Sequence, residues 1–86
     1  MEQRSPIDGK VIASVQTASA ADYEAAITVA GEAFHRWRGV PAPMRGETIR
    51  KFGNALGEAK SDLAKLVTLE TGKIIVESEG EVQEMI

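Results

Sequence analysis

The apolar positions of this chain follow a helical period over most of its length. One predicted helical face consists of residues spaced four and three apart: Tyr23, Ile27, Ala30, Phe34 and Trp37. Ser19, with Asp22 three residues later, forms a variant of the capping box that begins a helix. Gly39 and Pro41 are typical of a helix end. The pattern therefore predicts a first helix between Ser19 and about Gly39.

A second helix is predicted to begin near Pro43, because proline suits a first helical turn. Its predicted inward face consists of Met44, Thr48, Ile49, Phe52 and Leu56. Gly53 and Gly57 each lower helix propensity by roughly 1 kcal/mol relative to alanine. We therefore expect this helix to bend or fray near Gly57.

A third helix is predicted to follow, with Ser61 as its N-cap and Asp62 near the positive end of the helix dipole. Its predicted inward positions are Leu63, Leu66, Val67 and the aliphatic stem of Glu70. Gly72 is expected to end it in a left-handed conformation.

A fourth helix is predicted from about Ile75, with an apolar set of Val82, Met85 and Ile86. Four glutamates accompany it: Glu77, Glu79, Glu81 and Glu84. Acidic residues in first turns are favoured by the helix dipole. Because the apolar stripe runs out at Ile86 before any stop signal, we expect the chain to be a piece of something larger.

The N-terminal residues predict a short β arm. Residues 5–10 have the Pro, Asp and Gly of a turn, and the β-branched run from Val11 to Val15 predicts a strand. Its partner would be Glu2 to Arg4, which is so short that we expect the arm to need a further sheet or upstream residue. The predicted fold is mainly α, with three to four helices and an N-terminal strand or hairpin. We divide one incomplete domain, 1–86, into the arm (1–17) and a helical segment (19–86).

Composition narrows the function classes. The chain has 86 residues, 43% of them hydrophobic, a net charge of −3 and no cysteine. A negative charge disfavours nucleic acid and anionic lipid as partners, and the missing thiols exclude disulfides and a cysteine nucleophile. No apolar run reaches the roughly 20 residues of a membrane span, and the N-terminus lacks a signal-peptide core. We expect a cytoplasmic protein.

Candidate chemistry is sparse when the residues are considered alone. His35 lies among arginines and points away from the apolar face, so a solvated residue is favoured over a catalytic base. The five basic residues between Arg36 and Lys51 are interpreted as solvated helix faces rather than a binding patch. Gly72 with Lys73 lacks the remaining residues of a phosphate loop, which favours a helix cap. The glutamates of the fourth helix could offer paired carboxylates or a metal ligand, but a solvated face is the simpler interpretation.

Four motifs in sequence order resemble the opening segment of an aldehyde dehydrogenase, and they cover nearly the whole chain. They are Ser5-Pro6-Ile7-Asp8-Gly9-Lys10-Val11-Ile12, Phe34-His35-Arg36-Trp37, Pro41-Ala42-Pro43-Met44-Arg45-Gly46 and Leu69-Glu70-Thr71-Gly72-Lys73. Residues Lys73 to Glu84 resemble the antiquitin-like branch, whose substrate is α-aminoadipic semialdehyde. Ser78 and Glu79 depart from the small or apolar residues of that branch, and Gly57 replaces a larger helix former.

The resemblance implies a dimeric or tetrameric enzyme that oxidises an aldehyde to an acid with NAD or NADP. In that family a cysteine attacks the carbonyl, and hydride then passes to the nicotinamide. This chain lacks the cysteine and the cofactor-binding units, so we assign it no catalytic, cofactor-binding or metal residue and expect it to be inactive alone.

One site residue carries over from the resemblance. Glu84 matches a glutamate that lies near the substrate's amino group in the antiquitin-like branch, where a carboxylate would pair with an ammonium. An exposed helix acid with no such role stays an equal alternative. Two further hypotheses remain open: a helical module that self-associates through its apolar faces, and a fragment completed by the remainder of the enzyme on another chain.

Overall fold

A computed structural model describes all 86 residues. A β-hairpin is followed by four helices. The elements are β1 (Glu2–Arg4), β2 (Val11–Ser14), α1 (Ala20–Trp37), α2 (Ala42–Glu58), α3 (Lys60–Thr71) and α4 (Ile75–Glu84). The predicted class, mainly helical with an N-terminal hairpin, is confirmed.

The hairpin pairs β1 with β2 in antiparallel register, with Glu2 opposite Ser14 and a bulge between Gln3 and Arg4. Its turn uses the predicted residues: the Lys10 amide donates to Asp8 Oδ1 over 3.1 Å, and Gly9 has φ 73°. Only a residue without a Cβ adopts that φ at low cost. The sheet consists of these two strands.

The N-terminus of α1 has the predicted capping box. The Asp22 amide donates to Ser19 Oγ over 3.2 Å, and the Ser19 amide donates to Asp22 Oδ2 over 2.8 Å. Both amides lie in the first turn, where no intrahelical carbonyl is available to them. The helix ends at Trp37, ahead of Gly39, as predicted.

The predicted inward face of α2 is wrong as a description of an internal core, and the apolar face of α1 is exposed as well. Tyr23 is 61% exposed and Trp37 42% exposed, and Met44, Ile49 and Phe52 of α2 are also exposed. Leu56 alone in the predicted α2 face is half-buried. The physical reason is that α1 packs extensively on no other element, and α2 meets α3 only slightly.

The junction between α2 and α3 corrects a predicted cap. Ala59 is both the C-cap of α2 and the N-cap of α3, and no side chain caps α3. Because one residue separates the two helices, Ser61 lies inside the first turn instead of ahead of it. Asp62 does lie in that turn as predicted. The helix α2 continues through Gly57 to Glu58.

Two of the three glycines of α2, Gly53 and Gly57, have a packing role. A Cβ added at Gly53 would lie 3.6 Å from the Ile86 carbonyl oxygen, and one at Gly57 would lie 3.9 Å from Ile86 Cδ1. The glycines thus form a shallow notch on α2 against which Ile86, two residues beyond the end of α4, rests. Their low helix propensity accompanies this close approach.

The helices α3 and α4 contain every fully buried residue of the chain. Those residues are Ala64, Ser78 and Val82. Leu63 and Val67 are half-buried as predicted, whereas Leu66 is 51% exposed and points outward. Met85 and Ile86, predicted with Val82 as one apolar set, are exposed. Small side chains at the contact let the two helices approach closely, which the sequence pattern did not indicate.

Gly72 joins these two helices and also contacts the hairpin turn. Its φ of 76° makes it the left-handed C-cap of α3, and its amide donates to the Thr68 carbonyl over 2.9 Å. A Cβ there would lie 3.4 Å from Pro6 Cγ and 3.6 Å from Ile7 Cγ1. The predicted stop signal is therefore confirmed, and it is also the point where the β arm meets the helices.

The overall shape is extended. The radius of gyration is 17.3 Å and the principal extents are 49 × 33 × 14 Å, whereas a compact chain of this length would have a radius near 12 Å. One small helix pair is packed, and the other elements extend from it. None of the four helices combines the length and the hydropathy that a bilayer crossing would require.

Candidate functional site on the fourth helix

Three glutamates share one face of α4. Glu77, Glu81 and Glu84 are spaced by four and three residues, so their side chains lie along one stripe of the helix. Lys73, in the connection before α4, donates from Nζ to the Glu81 carboxylate. We call Lys73 and these three glutamates the acidic stripe.

The three glutamates of the acidic stripe raise the pKa of its lysine, Lys73. The largest cause is the hydrogen bond to Glu81, and desolvation, which comes next, opposes it. The negative charges of Glu81, Glu77 and Glu84 add smaller effects that also raise the pKa. Opposite charge nearby favours the ammonium form. All three carboxylates are therefore close enough to Lys73 for their fields to act on it, although only Glu81 bonds it.

Glu84, the predicted substrate-binding residue, is exposed and has no hydrogen bond or ion pair in the structure. Its carboxylate is therefore available to an external cation. Glu84 lies on the same helix face as Glu77 and Glu81, and it lines no pocket. The substrate role of Glu84 stays a prediction.

The buried face of α4 has a polar pair that sequence reasoning missed. Ser78 Oγ lies 2.8 Å from Thr68 Oγ1 of α3 and donates to the Ile74 carbonyl over 3.3 Å. A buried hydroxyl requires such partners. The available signal was the spacing of Ser78 and Val82, four residues apart on one helix face, together with the departure of Ser78 from the small or apolar residues expected there.

The remaining candidates have ordinary surface geometry. Gly72 is a helix cap, with α3 and no strand leading into it, which confirms the cap over the phosphate loop. His35 is exposed, and its ring meets Phe34 edge-on at a centroid distance of 5.6 Å. Arg50 is paired with Glu47 in its own helix through two hydrogen bonds of 2.8 and 2.7 Å. No three His, Asp or Glu side chains come together to hold a metal ion.

A known protein family matches the chain over its whole length. The model of the aldehyde dehydrogenase family matches the chain over residues 1–86. The chain therefore belongs to the aldehyde dehydrogenase family, as the four motifs indicated.

Individual relatives indicate which members of the aldehyde dehydrogenase family the chain resembles. The chain is 51% identical over 81 residues to the α-aminoadipic semialdehyde dehydrogenase of Bos taurus, covering 94% of this chain and 15% of the bovine protein. It is 49% identical over 82 residues to aldehyde dehydrogenase family 7 member A1 of Pisum sativum, covering 95% of this chain and 16% of the pea protein. Malonate-semialdehyde dehydrogenase 2 of Oceanobacillus iheyensis is 46% identical over 79 residues, or 92% of this chain and 16% of that protein. The chain thus spans about a sixth of the length of these relatives.

Proposed function

We propose that this chain is a helical segment of a dehydrogenase that oxidises a semialdehyde to a carboxylic acid with NAD or NADP. The observation that carries the proposal is the family match over all 86 residues, joined to about 50% identity with relatives named as semialdehyde dehydrogenases. The 86 residues alone do not catalyse the reaction, since the sequence has no cysteine to form a covalent intermediate with the carbonyl. We also expect a cytoplasmic location, which fractionation of expressing cells would test.

The exposed face of α2 supports a role as a segment of a larger protein. Met44, Ile49 and Phe52 each expose more than 60% of their surface along this one helix. Large apolar side chains that line up on one helix face are typical of a surface that another part of a protein covers. We propose that the remaining length of a dehydrogenase packs on this face.

The acidic stripe supports a preference for a substrate that carries an ammonium group. One lysine faces three glutamates there, and that lysine is bonded to Glu81. The unpaired Glu84 carboxylate would form a charge-assisted hydrogen bond with the amino group of an amino-semialdehyde. The role of Glu84 is to position the substrate, since the reacting carbonyl needs residues outside this segment.

A chimera tests the proposed function. Residues 1–86 would replace the matched segment of the bovine relative, and the rate of NAD reduction with α-aminoadipic semialdehyde would be measured. We expect the chimera to oxidise the substrate and the isolated 86 residues to give no rate. A chimera that folds and retains its oligomeric state but gives no rate would contradict the proposal.

The substrate role of Glu84 needs a separate test in the same chimera. Glu84→Gln should raise the KM for α-aminoadipic semialdehyde by roughly 10-fold or more, the loss of a charged hydrogen bond, and leave hexanal, which has no ammonium, unaffected. Glu79→Gln, on another face of α4, is the matched control and should change neither KM. Equal effects of Glu84→Gln on both aldehydes would contradict ammonium recognition.

A further inference from the structure

Ser78 is the one polar side chain of the molecule that is fully buried, and the proposed activity gives it no role. Its Oγ lies 2.8 Å from Thr68 Oγ1 and donates to the Ile74 carbonyl over 3.3 Å. A serine hydroxyl has one proton to donate, so Thr68 Oγ1 is the donor to Ser78 Oγ. This hydrogen bond joins α3 to α4 inside their contact. We call Thr68 and Ser78 the hydroxyl pair.

The hydroxyl pair is the directional part of the contact between α3 and α4. The other fully buried residues there are Ala64 and Val82, and the burial of apolar surface has no preferred direction. A helix that packs through small apolar side chains alone can therefore turn about its own axis at little cost. A hydrogen bond weakens steeply as its angle closes, and a fully satisfied buried polar contact favours one arrangement of the elements around it.

Two further polar contacts of α4 lie at the surface and hold its rotation less firmly. Lys60 Nζ of α3 donates to Gln83 Oε1 over 2.9 Å, and Lys73 pairs with Glu81. Both contacts depend on the flexible end of a lysine, and exposed contacts of this kind contribute little. The lysine side chains can follow α4 through a small rotation, whereas the short side chains of the hydroxyl pair cannot.

The direction of the Glu84 carboxylate depends on the rotation of α4. At 100° per residue, Glu84 lies about 120° around the helix from Ser78 and about 9 Å further along its axis. A rotation of about 20° moves a side-chain end at a radius of roughly 6 Å by about 2 Å. Hydrogen-bond distances vary over only about 0.5 Å. A small rotation of α4 is therefore enough to separate Glu84 from a bound ammonium group.

We propose that Ser78 and Thr68 are positioning residues for Glu84: their hydrogen bond sets the rotation of α4 and so directs the Glu84 carboxylate toward the ammonium group of an amino-semialdehyde. Neither residue contacts the substrate, because the pair lies inside the contact between α3 and α4. This positioning role rests on the substrate role of Glu84 proposed above.

Residual dipolar couplings of the α4 amides in the 86-residue chain measure the rotation of α4. The double variant Ser78→Ala/Thr68→Val removes both hydroxyls and leaves neither partner unsatisfied, so the helices stay folded. We expect α4 to turn by about 20° or more in this variant. Thr68→Ser keeps the hydroxyl and should leave the rotation unchanged. Thr48→Val, which removes a hydroxyl bonded only to the Met44 carbonyl of α2, is the matched control.

The chimera described above tests whether the rotation acts through Glu84. The double variant should raise the KM for α-aminoadipic semialdehyde by roughly 3-fold, a part of the effect expected for Glu84→Gln, and leave the KM for hexanal unchanged. Thr68→Ser should restore the KM of the parent chimera. When Glu84→Gln is already present, the double variant should have no further effect, since no carboxylate is left to direct.

Several results would overturn the positioning role. They are an α4 rotation that the double variant leaves unchanged, an equal rise in the KM of both aldehydes, and a full further rise when Glu84→Gln is present. A chimera that oxidises hexanal and shows no effect of Glu84→Gln would also overturn it, while the dehydrogenase activity would stand. A chimera that oxidises neither aldehyde would contradict the proposed function instead, and the dipolar couplings would still decide whether the hydroxyl pair sets the rotation of α4.

Discussion

The α3–α4 pair and α1 use amphipathic helix faces in opposite ways. Ala64, Ser78 and Val82 are fully buried where α3 meets α4, whereas the larger and more apolar face of α1, with Tyr23 and Trp37, stays exposed. Small side chains let two neighbouring helices approach within one chain, while large aromatic rings such as Trp37 need a partner surface that extends beyond them. The difference teaches that a helical period identifies a face, and that side-chain size decides whether a neighbouring helix can cover it.

A charge introduced into the buried contact between α3 and α4 should reduce the stability of the chain more than any other change. Val82→Asp places a carboxylate at a position with no exposure, and we expect about 3–5 kcal/mol of destabilisation, enough to unfold α3 and α4. Ile27→Asp on the apolar face of α1 should cost less than about 1 kcal/mol, because that side chain is already about half exposed to water. Thermal denaturation followed by circular dichroism would compare them, and equal losses would contradict the assignment of a single packed region.

The buried hydroxyl pair should give the next largest effect. Ser78→Ala or Thr68→Val alone leaves one partner unsatisfied at about 1–3 kcal/mol. The double variant should cost less than the sum of the two single variants, because both polar groups are then removed together. Urea denaturation of the four proteins would complete the cycle. Strict additivity would show that the 2.8 Å contact carries no coupling.

Two glycine substitutions, one in each region, should change the stability of the chain in opposite directions. Gly72→Ala should destabilise the chain by roughly 1–2 kcal/mol, since a residue in the left-handed conformation acquires a Cβ. Gly31→Ala in α1 meets open space and should stabilise the helix by about 0.5–1 kcal/mol. Melting temperatures would check both, and a stabilising Gly72→Ala would contradict the cap.

Changes of pH should have the smallest effect on stability. They should act on α1 at acid pH and on the α3–α4 region at alkaline pH. Hydrogen bonds from Ser19 lower the pKa of Asp22 below 3.8, so the α1 cap is complete above that value and is lost as pH falls through the lowered pKa. The hydrogen bond to Glu81 raises the pKa of Lys73 above 10.5, so its contribution is present below that value and is lost as pH rises through the raised pKa.

Amide resonances of Ser19 and of residues around Lys73 would follow these two transitions separately. Asp22→Ala should abolish the acid step alone, and Lys73→Met the alkaline step alone. Added salt should reduce the alkaline step, because these charges are exposed. A common transition for both regions would contradict their independence.

Local signals in the sequence predicted the elements well because they depend on neighbouring residues. The capping box at Ser19 and the left-handed Gly72 are each fixed by the chain within a few positions. The cap at Ser61 was wrong because the one-residue junction at Ala59 depends on how α2 and α3 meet. The hydrogen-bond partner of Ser78 could not be predicted, since Thr68 lies ten residues away on another helix. The predicted inward face of α2 was wrong because periodicity carries no information about what covers a face.

Hydrogen exchange of the 86-residue chain at a concentration of a few micromolar tests the contrast between the two regions most directly. We expect slow exchange at Thr68 and Val82, whose amides lie in the packed α3–α4 pair, and fast exchange along α1 between Ile27 and Phe34. Protection of α1 equal to that of α3 and α4 in the dilute monomer would contradict the account, because it would require α1 to pack within its own chain.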